Sequence, residues 1–141
     1  MLDKINVSTI FCDDIRREIG DKYSLMGCYD TRMELDEFPT VLPRLCVVIY
    51  AIIQPDAAIE NITLWGTIGS DALPAYSVPQ RDMEAAQVGR PRKIITLLTI
   101  SPLQLMEPSV LTIKMNVDGK EAQIGALVIE MATAEVVASN V

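Results

Sequence analysis

The chain contains no histidine. Chemistry that depends on an imidazole is thereby excluded: Ser-His-Asp and Cys-His catalysis, imidazole acid–base work and His-based zinc sites. Cysteine is scarce too. The three present, Cys12, Cys28 and Cys46, contain no Cys-x-x-Cys pair, cannot make a four-cysteine site and match no zinc ribbon in their spacing. Their odd number, and an opening Met-Leu-Asp-Lys-Ile-Asn without an apolar signal segment, point to reduced thiols in a cytoplasmic protein. All three sit in apolar strand contexts, the setting of ordinary buried cysteine. Aromatics are only 5% of the residues, so the core must come from Ile, Leu, Val, Met and Ala. The longest apolar run, Leu45 to Ile53, spans nine residues, far short of the roughly 20 that a membrane-spanning helix needs. Twelve basic residues stand against 19 acidic ones, a net charge of −7. That sign disfavours nucleic acid, whose binding needs cations to displace counterions, and it disfavours an anionic membrane.

Half of the 141 residues are hydrophobic, which is incompatible with a disordered chain. A chain of this length suggests one domain, 1–141, that buries about 68–70% of its unfolded surface without disulfides, metals or a cofactor. No repeat, linker or low-complexity tract divides it.

The pattern is that of strands. Ile5 to Phe11 reads as a first strand, Asp14 to Ile19 as a second and Tyr23 to Tyr29 as a third, with a tight Gly20-Asp21-Lys22 turn between the last two. Thr31 to Leu35 suits a continuation of the third strand or a short edge strand, and Pro39 and Pro43 punctuate a loop, since proline cannot donate to a ladder. Leu45 to Gln54 is rich in β-branched residues and almost free of polar ones, as expected of a strand covered on both faces; a short buried helix fits the same pattern. Asn61 to Ile68, Lys93 to Ile100 and Val110 to Val117 follow as strands. Asp118-Gly119 then stands between alternating runs, the signature of a type I′ hairpin, and Glu121 to Met131 returns. Ser70 to Pro91 is the longest irregular stretch, and its segment 80–88 has the composition for one short helix. The tail from Ala132 either frays or pairs with a neighbouring subunit. Together these predict an all-β protein, an antiparallel β-sandwich of about seven to nine strands.

Three groups of residues are candidates for chemistry. The one basic concentration is Arg90, Arg92 and Lys93, with Arg81 upstream in the same loop. Guanidinium forks on a loop suit phosphate or carboxylate recognition, and they equally suit protection of the next strand from edge pairing. The acidic Asp13, Asp14 and Asp30 could converge on a metal, or simply pair with Arg16, Arg17 and Arg32. Trp65, the only tryptophan, suits either the core or a protein contact. Gly66 within its strand marks a bulge or a close approach.

One block has a wider resemblance. Cys12-Asp13-Asp14-Ile15-Arg16, then Gly20 to Tyr29, then Phe38-Pro39 and Leu42-Pro43-Arg44-Leu45, is similar to a family of small bacterial and phage proteins of unknown function. That family has a Cys-Asp-Asp-hydrophobic-Arg strand, a Gly-Lys turn, a Gly-x-Tyr strand and a Phe-Pro, Leu-Pro-x-Leu segment. Pro108 to Glu130 follows its later hairpin pattern. The resemblance implies a β-sandwich of bacterial or phage origin. It also implies that the 70–92 connection is longer here than is usual in the family. No activity comes with it.

The expected function is non-enzymatic. Residues 70–93 would form the contact surface of a homo-oligomeric host-interaction, counter-defence or assembly factor, anchored by Arg81, Arg90, Arg92 and Lys93 with Trp65. One alternative is a sponge for an anionic small molecule or nucleotide, held by the same arginines at a subunit interface. Another is a metal hydrolase using Asp13, Asp14 and Asp30.

Overall fold

A computed structural model describes residues 2–79 and 89–133. In chain order its strands are β1 (Ile5–Glu18), β2 (Lys22–Tyr29), β3 (Arg32–Leu35), β4 (Thr40–Leu42), β5 (Leu45–Ile53), β6 (Ile62–Ile68), β7 (Asp71–Ala72), β8 (Tyr76–Ser77), β9 (Arg92–Ile100), β10 (Leu103–Leu105), β11 (Ser109–Val117) and β12 (Lys120–Met131). A single 3-10 turn, Leu2–Lys4, precedes them. The protein is all-β, as the alternating patterns predict. The expected short helix in 80–88 lies outside the described residues, as do Arg81 and most of the tail.

Two sheets carry the core. The first has the order β2-β1-β5-β9 and is antiparallel throughout. The second has the order β3-β12-β11-β6-β7, with β8 also on β6. A separate ribbon pairs β4 with β10. One expectation needs correction: β3 runs parallel to β12, so the second sheet is mixed. The reason is the connection. The chain passes from β2 in one sheet to the far edge of the other, and nothing local dictates the direction in which it arrives.

The sequence patterns translate directly into layers. Cβ atoms alternate across a strand, and Leu111, Ile113, Met115 and Val117 of β11 are all buried. They face Val47, Ile49, Ala51 and Ile53 of β5 in one continuous core. β5 is wholly buried on its core face but only partly on the other, where Tyr50 is half-buried and Ile52 exposed, so the expected cover on both faces holds only for its first half. Its other face contributes Cys46 and Val48 to a smaller cluster with Cys12, flanked by Ile10, Tyr50 and Leu97. At the β11–β12 turn, Asp118 and Gly119 both have positive φ, 49° and 89°, as a type I′ turn requires. The Asp118 carboxylate also accepts the N–H of Asn61 at 2.8 Å and that of Glu60 at 3.2 Å, tying the 57–61 loop to the hairpin.

A second correction concerns the N-terminus. Ile5 to Glu18 is one strand of 14 residues, not two. Cys12-Asp13-Asp14 has the composition of a turn, yet the ladder with β2 keeps constant register on either side of it. The acidic pair is accommodated because β5 begins only at Leu45, opposite the region just past Cys12. Beyond that point β1 has lost one neighbour and overhangs into solvent.

Candidate functional site

Among the described residues the sandwich is open along one side, between the edge of each sheet. On the first sheet that edge is β9, whose described pairing is with β5 alone. On the second, β7 and β8 are one returning strand interrupted by a bulge. Thr67 pairs with Ala72, but Leu64 pairs with Tyr76, so the register slips by one residue across Leu73-Pro74-Ala75. A proline that cannot donate belongs at such a break. Gly66 makes the return possible. A Cβ there would meet the Thr112 carbonyl at 2.7 Å and the Leu73 side chain at 3.4 Å. The Leu73 N–H donates to the Gly66 carbonyl at 2.8 Å.

Between these two edges lies a groove of about 520 Å³. Val47, Leu64 and Ile113 contribute its apolar floor, and Leu73 to Tyr76 and Leu98 to Pro102 contribute its walls. Its size and mostly apolar lining are those of a site that takes an apolar group from a ligand.

The residues proposed from sequence are not brought together. Arg92 and Lys93 are neighbours on β9 and point to opposite faces. Arg92 reaches under the sheet and donates to the Ala57 carbonyl at 2.6 Å. Lys93 lies over the Tyr50 ring, 5.6 Å from its centre, on the outer face. Arg90 is exposed in the preceding turn. Trp65 borders the groove, but Lys114, its partner in the ladder, covers its ring at 4.8 Å on the outer face of the second sheet.

The acidic candidates separate as well. Asp14 is engaged by Arg44 at 3.2 Å and by Arg16 at 3.9 Å, and its carboxylate accepts the Ile15 N–H at 2.9 Å. Asp30 is exposed. Among the described residues no three Cys, Asp or Glu side chains stand where they could share a metal ion. Asp13 has a distinct role. Its carboxylate lies over Gly27 and accepts a hydrogen bond from the Tyr29 hydroxyl. A Cβ on Gly27 would fall on that carboxylate, and the residue's φ is +66°. Burial first, and then the bond to Asp13, push the Tyr29 phenol up to about 12. The two groups line a second, shallower cleft with Leu42, Pro43, Arg44 and Ser101.

Two features escaped the sequence reading. The groove was invisible because it is made by strands far apart in the chain, although Pro74 within a run of turn residues marked the bulge. Cys28 is exposed, not buried as its apolar neighbours implied, because β2 is an edge strand.

From residue 7 to residue 130 the chain matches DUF6941, a family of unknown function. It belongs to that family. DUF6941 membership spans both sheets and includes the Cys12–Leu45 block, the open groove and the Asp13–Tyr29 contact. Comparison with curated proteins gives no match.

Proposed function

We propose that this DUF6941 protein works by binding, not by catalysis, and that its groove receives an apolar side chain from an extended segment of a protein partner. One observation carries the reading: an apolar groove of about 520 Å³ runs beside β9, whose described pairing leaves one side of the strand unmatched. An unmatched edge offers backbone donors and acceptors to an incoming strand, and the adjacent groove supplies side-chain selectivity. The net charge of −7 disfavours nucleic acid as the occupant. Of residues 70–79, Leu73 to Tyr76 supply a wall of the groove. Arg92 and Lys93, at the start of β9, do not line the groove, which lies at the strand's other end. A role as a bacterial or phage host-interaction, counter-defence or assembly factor, cytoplasmic and self-associating, fits a protein that offers an edge in this way. An anionic ligand has weaker support, because Arg92 and Lys93 lie on opposite faces. A metal hydrolase has weaker support still, with Asp13 and Asp14 each engaged.

Selection of a random peptide library on the immobilised protein tests the proposal. Enriched peptides should share an apolar anchor in a β-prone sequence. They should bind at least tenfold more weakly to Ala75→Trp, a substitution on the exposed rim that covers the groove mouth. Peptides that bind wild type and Ala75→Trp equally, or no enrichment at all, would refute it.

A further inference from the structure

The register of the first sheet sets all three cysteines in one row. Cys12 on β1 faces Cys28 on β2 and Cys46 on β5, and Cys46 faces Thr99 on β9. Directly opposed residues project from the same side of a sheet. Which pair stands closest follows from the ladder. The Gln54 N–H donates to the Lys4 carbonyl at 2.9 Å, and the β1–β5 register is constant from Ile5 to Cys12. Hydrogen-bonded and non-hydrogen-bonded pairs alternate along an antiparallel ladder. Even-numbered positions of β1 therefore bond to β5, and Cys12 with Cys46 is a hydrogen-bonded pair. The N–H and C=O of Cys12 are turned to β5, so Cys12 and Cys28 form a non-hydrogen-bonded pair. In such pairs the Cα atoms are about 4.5 Å apart and the side chains approach most closely. That lies inside the roughly 4.4–6.8 Å that a disulfide bridges.

Accessibility divides the row in the same way. Cys28 is exposed, and Cys12 behind it is buried. The Cys46 sulfur is turned to other partners, 3.8 Å from the Asp13 carbonyl oxygen and 3.9 Å from the Thr99 hydroxyl. We infer that Cys28 and Cys12 are a redox pair: a low-molecular-weight disulfide such as oxidised glutathione reacts at Cys28, and Cys12 resolves the adduct into a cross-strand disulfide.

The electrons balance with that co-reactant alone. The Cys28 thiolate attacks one sulfur of oxidised glutathione, forming a mixed disulfide and releasing one glutathione thiolate. The Cys12 thiolate then attacks the Cys28 sulfur and expels the second glutathione. Two protein thiols lose two electrons and two protons, and one disulfide becomes two thiols. The second step is the slow one. Burial first, then the neighbouring Cys46, Cys28 and Asp13, push the Cys12 thiol up to about 11. Only the thiolate attacks, so closure should accelerate about tenfold per pH unit below that value.

The test is a peptide map of the full-length protein after incubation with oxidised glutathione, digested with trypsin without reduction. Cys12 and Cys28 fall in separate tryptic peptides, 5–16 and 23–32. The expected product is those two peptides joined. A glutathione adduct on Cys28 should precede it, and the joined form should appear faster at pH 9 than at pH 7. Cys46→Ser should give the same joined pair, and Cys12→Ser should stop at the adduct. A persistent Cys28 adduct in wild type at both pH values would overturn the inference. So would a Cys12–Cys46 link as the main product, or joining that appears only after denaturation.

Discussion

Replacing Gly27 by Ala tests the most specific contact in the first sheet. The perturbation acts twice. An L-residue held at φ +66° costs about 1–2 kcal/mol relative to its preferred regions, and the stiffer unfolded chain returns about half of one kcal/mol. The new methyl also takes the place of the Asp13 carboxylate, which then loses the Tyr29 hydroxyl. A hydrogen bond to a charged acceptor contributes roughly 1.5–3 kcal/mol when buried. Asp13 is exposed, so about 1 kcal/mol is the appropriate share here. The expected loss is therefore about 2 kcal/mol in urea denaturation, with an unchanged slope. A double-mutant cycle separates the two causes. Tyr29→Phe should cost about 1 kcal/mol in the wild type and close to nothing in Gly27→Ala, because its partner has already moved. Equal costs in the two backgrounds would refute the coupling. A Gly27→Ala loss below about 0.5 kcal/mol, within the ordinary scatter of surface changes, would refute the geometry.

Three further outcomes follow from the same structure. Leu111→Ala, on a central strand and fully buried, should cost about 3 kcal/mol in urea denaturation, while Val110→Ala beside it on the outer face should stay within about 0.5 kcal/mol. Tyr29 is pushed up to about 12 from 10, and Cys12 to about 11 from 9. The unfolded chain therefore releases these protons first. Their contribution to stability is whole below about pH 9 and is lost as pH rises toward 12. Denaturation midpoints at successive pH values should fall across that window, and Tyr29→Phe should flatten the upper part of the fall. Asp118→Ala removes the acceptor for two backbone N–H groups. Amide exchange at Glu60 and Asn61 should accelerate at least tenfold, with about 1–2 kcal/mol of stability lost.

Local signals were reliable where one physical cause acts alone. The Asp118-Gly119 turn needs positive φ twice, and few residue types supply it. β11 could be read residue by residue because it is buried on one face only, so burial and period coincide. β5 showed as an unbroken apolar run, yet only its core face is buried throughout; on the other face Cys46 and Val48 are buried and Ile52 is exposed. The Asp13-Asp14 pair misled because its composition is that of a turn. Its strand conformation depends on Gly27, Tyr29 and Arg44, which lie 14 to 30 positions from their partners in the chain.

The order of residues by itself determined the all-β class, the lack of imidazole chemistry, the hairpin turns and the inward face of each long strand. Each of these depends on neighbours a few residues apart and on backbone sterics. Tertiary structure alone decided which strand edges are unmatched among the described residues, where the bulge at Pro74 opens a groove, and that Cys12 stands between Cys28 and Cys46. Those features arise from strand order and register, set by packing of the whole core between segments far apart in the chain. No local pattern encodes them.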